Sequence, residues 1–447
     1  MGLRGGRVRA EPPVQLVALY LLVYLYDGVR LSTSGIATLT AILTAARVWD
    51  AVNDLIIGLL VDRTRTRWGT FRPYILLTAL PIAALTVLLF SAPTGSETQT
   101  LAVIGIAYLL WDAVYTLSDV PYWSLTTVIT TDDASRAALV SRARTAGMLA
   151  VATVTLAGDP LAVALSGGAE KPTTTGWSRA ALVVSALGMS LFTLAFFTTR
   201  EKVAHRPEPL PIRETVRQFR SNPPLFLALA SGVLSFGQTL VVVGGAVVAS
   251  VVFGDVRLFS VLGGALIADT VVGALSAPAV LRRHTRRRTL MGAGLGTGVA
   301  YASLLLISHR SLVPVAAVMA VIGLFVGVYA VTQTLVVGDT ADYAEARTGH
   351  RLDGACFAGL TFITKLNSAL ATLVFGSAVA WVGYQADLPV TDAMRDGLWR
   401  VLGIVPALSC VLGLLPLRWY AVPERDLPAL LAARRSGDAP TPDAAVG

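Results

Sequence analysis

The sequence predicts an all-α integral membrane protein of twelve transmembrane helices in two six-helix halves. Three observations predict it. The 447 residues are 54% hydrophobic and only 14% charged, against about 25% charge in a soluble domain, so polar groups are too few to cover a water-facing surface. The apolar residues gather into twelve runs of roughly the 20 residues a helix needs to cross about 30 Å of hydrocarbon. The basic residues, in turn, concentrate in every second gap between those runs. Backbone polar groups in lipid must be paired within the protein, which a helix achieves alone, and no β-barrel alternation is visible. The net charge of +8 is therefore read as orientation in a membrane and not as a nucleic-acid surface.

The expected spans cover 13–31, 36–61, 73–92, 101–129, 139–166, 177–199, 223–253, 257–281, 289–308, 312–338, 354–382 and 398–418. With both termini in the cytoplasm, 27 of the 36 Lys and Arg residues are assigned, with the span ends, to the cytoplasmic side and seven to the outer side, and two, Arg47 and Lys365, lie well inside spans. This asymmetry sets the orientation in the cell membrane and requires an even number of spans. Arg4, Arg7 and Arg9 precede the first run as in a signal peptide. That run is long, lacks a small-x-small cleavage site and is followed by eleven more, so an uncleaved first helix is expected.

The charged, proline-containing stretch 200–222 divides an N-terminal half, 1–199, from a C-terminal half, 223–424, and 425–447 is expected to be a flexible cytoplasmic tail. The two halves echo each other. Asp62-Arg63-Thr64-Arg65-Thr66-Arg67 follows span two, and Arg282-Arg283-His284-Thr285-Arg286-Arg287-Arg288 follows span eight. Matching basic loops in two six-span halves suggest the parallel-repeat design of major facilitator transporters. Cys356 and Cys410 lie in apolar runs and read as small core residues without a disulfide. The four His fall in loops with no metal-ligand spacing. No phosphate loop or nucleophile elbow is present, so neither an enzyme nor a cofactor is expected.

Charges inside spans mark pathways, because each costs at least about 2.5–3.5 kcal/mol there. In span two, Asp50 and Asp54 are four apart on one helix face, with Asn53 beside them. Two such carboxylates repel unless a proton or cation joins them, and oxygen ligands suit a hard cation such as Na⁺. The bland alternative is a structural Arg47–Asp50 ion pair. In span four, Asp112, Tyr115 and Asp119 recur at 3, 4 and 7 as one stripe ahead of Pro121, Tyr122 and Trp123. Carboxylates accept hydrogen bonds from hydroxyls, and aromatic faces stack on sugar rings. Trp123 reads equally as an interfacial belt residue. Arg142 reads as a cytoplasmic anchor at the start of span five, and Arg144 as able to swing toward Asp119 or a substrate. Lys365 in span eleven needs an acid, with Asp50, Asp54 or Asp119 expected. Asp159 and Asp269 receive no role.

These residues resemble the glycoside–pentoside–hexuronide:cation symporters, the family of melibiose permease. The resemblance rests on three stretches: Ala46 to Asp54 continuing through Gly58, Asp62, Gly69 and Pro73; Asp119 to Ser124; and Asp339 to Gly354 followed by Thr361 and Lys365. It covers nearly the whole chain. It implies a sodium or proton site at Asp50, Asn53, Asp54 and Thr116. It implies sugar contacts at Asp119, Tyr115, Trp123, Arg144, Lys365 and Thr361, and gating at Asp62, Arg63, Asp339, Asp342 and Arg351, the last three assigned to the loop between spans ten and eleven. The chain departs from the family pattern at Val14, where an acid is usual and Glu11 is a poor stand-in. It departs also at the added Asp112 and at Leu360.

The expected function is cation-coupled symport of a sugar or glycoside by alternating access. The coupling ion is Na⁺ or H⁺ and the protein is a lipid-embedded monomer that binds no nucleic acid. Val14 and Asp112 keep a proton-coupled exporter of a drug or natural product as the alternative.

Overall fold

The computed structural model describes residues 11–25, 29, 38, 42, 53–54, 56–58, 60–91, 95–130, 132–201, 217, 220–254, 257–383, 389–424, 427 and 429–431. Their helices are α1 (Glu11–Val23), α2 (Arg72–Leu89), α3 (Glu97–Val128), α4 (Asp133–Ala164), α5 (Thr174–Thr198), α6 (Pro223–Leu234), α7 (Leu240–Val248), α8 (Arg257–Leu281), α9 (Arg286–Ser303), α10 (Leu312–Thr348), α11 (Asp353–Trp381) and α12 (Asp392–Leu417). Nine of these are long and apolar enough to cross a membrane, ten when α6 and the helix after it count as one bent span. Span one appears as the short apolar helix Pro12–Leu21, and span two lies largely outside the described residues. Large apolar side chains such as Leu306 at 89%, Val313 at 79% and Leu80 at 77% stand exposed, which only a lipid solvent accommodates on this scale.

The helix starts follow from local chemistry. Ser96 and Gln99 form a reciprocal capping box at α3, which satisfies two N–H groups that a helix start leaves unpaired. The hydroxyls of Thr173, Thr285 and Thr391 accept from Gly176, Arg288 and Met394 in the same way. At the other end, α10 closes on Gly349 with φ +79°, a left-handed turn that favours glycine.

Two helices depart from the expected spans in a way that matters for the site. Span seven is not straight: it bends by 44° between Pro223–Leu234 and Phe236–Gly245, the second segment opening with a short 3₁₀ turn, Phe236–Thr239. Ser235 Oγ donates to the Ser231 carbonyl, and Ser409 Oγ accepts the Gly237 N–H at 2.8 Å, so side chains satisfy the freed backbone groups. By contrast α3 runs unbroken through Pro121. Span ten is the longest correction, because α10 continues ten residues past 338 and carries Asp339 and Asp342 on helix, not in a loop.

The chain forms two compact units. One holds residues 1–131, 145–205 and 353–358; the other holds 132–144, 206–352 and 359–447. Two helices, α4 and α11, therefore each contribute to both. In the first unit Leu16, Leu21, Ile104, Trp111, Trp177 and Ala181 form a core. In the second, α8 meets α10 through glycines. A Cβ on Gly273 would lie 2.0 Å from the Leu324 carbonyl, and one on Gly327 2.1 Å from that of Thr270. Small residues at such points let membrane helices approach closely.

Candidate functional site: buried carboxylates and charged span ends

The first unit carries the acids. Asp54 is completely buried, and Asn53, Asp112, Thr116 and Asp119 are buried as well. Asp50 lies outside the described residues, as does Arg47. Asp112, Tyr115, Thr116 and Asp119 share one face of α3 by their spacing. Trp111 stacks on Tyr115 with ring centres 5.7 Å apart and 14° between planes, and the Trp111 indole donates to Thr86 Oγ1 at 2.9 Å. This fixes an aromatic surface one turn from two carboxylates. Trp123 is buried and meets Tyr122 edge-on, so it is an interior residue and not part of a lipid-facing belt. Among the described residues, no three His, Cys, Asp or Glu side chains group as metal ligands.

The second unit carries the cations. Arg144 lies three turns into α4, not at the start of a span, and donates through Nε and Nη2 to Thr334 Oγ1 at 3.1 and 2.7 Å. Lys365 is half-buried on α11 one turn beyond the buried Thr361. Of the residues without an assigned role, Val14 packs partly buried against the first unit's core, Asp159 is exposed and Asp269 half-buried.

The gating residues form two separate arrangements. In the first unit, Asp62 accepts the N–H groups of Gly354 and Ala355 at 2.7 and 3.0 Å. A carboxylate at a helix start satisfies orphan donors and the positive end of the dipole together. The fit is close, since a Cβ on Gly354 would stand 2.5 Å from the Gly58 carbonyl oxygen. Thr127 Oγ1 donates to Asp353 in the same turn. Arg63 is half-buried beside Asp62.

In the second unit, Asp339, Asp342 and Glu345 recur every three residues along α10. Asp339 pairs with Arg286. Asp342 sits 2.6 Å from Arg136 through one oxygen and 2.6 Å from Arg351 through the other, and Arg351 also reaches Glu345 at 2.6 Å. All are buried, so the pairs replace water that each charge has lost. Continuing α10 beyond the span is what brings these acids to one strip.

Five participants were not singled out from sequence: Arg136, Arg286, Glu345, Glu201 and Glu424. The last two repeat one device. Glu201 accepts the N–H groups of Thr70, Phe71 and Arg72 at the start of α2. Glu424 accepts those of Arg286 and Arg287 at the start of α9. Arg72 then donates to the Phe196 carbonyl and Arg287 to that of Arg418. A Glu just after span six and another just after span twelve was the available signal.

Buried carboxylates on apolar spans, in a chain whose two compact units each carry the same Glu-capped helix start, define a secondary transporter of the major facilitator type. The chain belongs to the family described as MFS/sugar transport protein, which matches residues 14–424. It is 28% identical over 431 residues, 94% of the chain and 91% of the relative, to the inner membrane symporter YicJ of Escherichia coli. It is 32% identical over 403 residues, 88% of the chain and 84% of the relative, to the putative glycoside/cation symporter YagG of the same organism. Its fold resembles that of the Escherichia coli fucose:proton symporter FucP with a TM-score of 0.58 at 10% identity, covering 92% of this chain and 98% of that one. The protein is a multi-pass membrane transporter and not an enzyme.

Proposed function

We propose that the protein imports a sugar or glycoside together with Na⁺ or H⁺ by alternating access. The observation that carries this is a fully buried Asp54, with Thr116 and Asp119 buried in the same unit on apolar spans. An acid left there without purpose would cost several kcal/mol. The coupling ion occupies Asp50, Asp54, Asn53 and Thr116, and its charge offsets the repulsion of the two carboxylates. It travels as cargo, and no cofactor is required. The substrate is held by Asp119, Tyr115, Trp123, Arg144, Lys365 and Thr361, with the Trp111-backed Tyr115 ring offering a face to a sugar. Relatives named as a glycoside/cation symporter, an isoprimeverose transporter and a lactose permease support a saccharide.

Gating follows from the two helices shared between units. Because α4 and α11 each contribute to both, a rocking motion must release their first turns. Asp62 and Arg63 act at the start of α11. Arg136, Asp339, Asp342 and Arg351 act at α4 and α10. In this reading the halves are 1–199 and 223–424, both termini are cytoplasmic, and a single chain suffices in the lipid.

The test is uptake of labelled glycosides into vesicles under an imposed Na⁺ or H⁺ gradient. Accumulation driven by one gradient, lost in Asp54→Asn, is expected. Full ion-driven accumulation in Asp54→Asn sinks the cation-site assignment. Expulsion of a hydrophobic substrate against a proton gradient, with no sugar accumulation, replaces symport with export.

A further inference from the structure

A cleft of about 470 Å³ opens in the second unit between the first turns of α4 and the α8–α9 turn. One wall is apolar, made by Ala134, Ala138 and Leu281; the other is basic, made by Arg282, Arg283 and His284. Its neighbouring charges are already engaged. Arg286 pairs with Asp339, and both oxygens of Glu424 accept N–H groups at the start of α9. Arg282 and Arg283 are exposed, and among the described residues neither forms an ion pair. Among the described residues, then, the lining holds two guanidiniums outside any ion pair. The cleft also lies where three spans end: Ala134–Ala164 begins there, Leu262–Leu281 ends there, and Arg286–Leu306 begins there.

We infer that this cleft binds the headgroup of an anionic phospholipid, with the phosphodiester between Arg282 and Arg283 and the glycerol and first acyl carbons along Ala134, Ala138 and Leu281. Guanidinium forks match phosphate oxygens in charge and geometry. Basic pockets among helix ends at the membrane surface take anionic headgroups. A free phosphate would make no use of the apolar wall or of the position at the span ends. Because α4 leaves this unit beyond Arg144, a lipid seated here ties the first three turns of α4 to the α8–α9 turn. Membrane composition then biases how readily those turns are released.

The inference is tested without transport, so it stands or falls separately from the symport reading. The purified full-length protein is titrated with phosphatidylglycerol and with phosphatidylcholine, and bound lipid is counted by native mass spectrometry. Phosphatidylglycerol is expected to bind at least tenfold more tightly. Arg282→Gln/Arg283→Gln is expected to weaken it roughly 30-fold, about fivefold for each charge lost. Ala134→Trp, which fills the cleft and keeps every charge, is expected to weaken it at least tenfold. Arg288→Gln, exposed on α9 but outside the cleft, is expected to change it less than threefold. Equal binding of the two lipids overturns the inference, as does a double variant within threefold of the parent. Displacement of the lipid by millimolar inorganic phosphate, with Ala134→Trp unaffected, overturns it in favour of a phosphate site.

Discussion

Replacing Asp62 by Asn should loosen the first turn of α11. Asp62 accepts two backbone N–H groups there, from Gly354 and Ala355. The amide keeps one acceptor oxygen and loses the charge. One hydrogen bond to a charged group contributes about 1.5–3 kcal/mol, and a charge at a helix start about 0.3–1 kcal/mol. The variant should favour opening of that turn by about 2–4 kcal/mol, roughly 30- to 900-fold. A native reporter is in place, because Cys356 is buried two residues beyond Gly354 and Cys410 is buried on α12. Under conditions where opening and closing outpace alkylation, the maleimide labelling rate follows the open population. Labelling of Cys356 should rise at least 30-fold in Asp62→Asn while Cys410 stays unchanged. Gly354→Ala, which drives a Cβ against the Gly58 carbonyl, should act in the same direction. Cys356 labelling within threefold of the parent in both variants would refute the reasoning.

Other consequences follow from the charged span ends. Asp342→Asn leaves Arg136 buried without its carboxylate and should cost about 3–5 kcal/mol, seen as a lower unfolding temperature; adding Arg136→Gln should cost less than the sum of the two single changes. Glu201→Gln and Glu424→Gln each remove a charge that caps a helix start, so each should cost about 1–2 kcal/mol. The two sit in different units, so their shifts in unfolding temperature should add. Outside the spans, the Ser135 hydroxyl and then its N–H hold the Asp132 carboxyl below the usual 3.8. A depressed acid stabilises the folded state above its unfolded pKa, and that stabilisation is lost as pH falls through the folded value. Hydrogen exchange at the Ser135 amide should therefore quicken below about pH 4 beyond its intrinsic acid dependence, and Asp132→Ala should abolish that excess.

Much of the membrane plan could be read directly, because a bilayer imposes length and apolarity on every span. The apolar runs after residue 72 reappear as helices with shifted ends. What shifted them was pairing unavailable to a hydropathy window. Starting α4 at Asp133 places Arg144 three turns into the helix instead of near its start, and Thr334 receives it there. Extending α10 to Thr348 carries Asp339, Asp342 and Glu345 onto helix because buried arginines await them. Ser235 and Ser409 bend span seven by satisfying backbone groups that a run of Leu and Val does not reveal. The belt reading of Trp123 could be settled only by knowing what surrounds α3.

By itself the sequence determined the membrane class and the costly acids Asp54, Asp112 and Asp119, since each is a property of one segment judged against lipid. Tertiary structure alone decided which charges are neighbours. Arg136 and Asp342 are 206 residues apart and meet at 2.6 Å; Asp62 closes a helix that begins nearly 300 residues later. Coulomb attraction and backbone capping act over a few ångströms of space, and no spacing along the chain encodes that proximity.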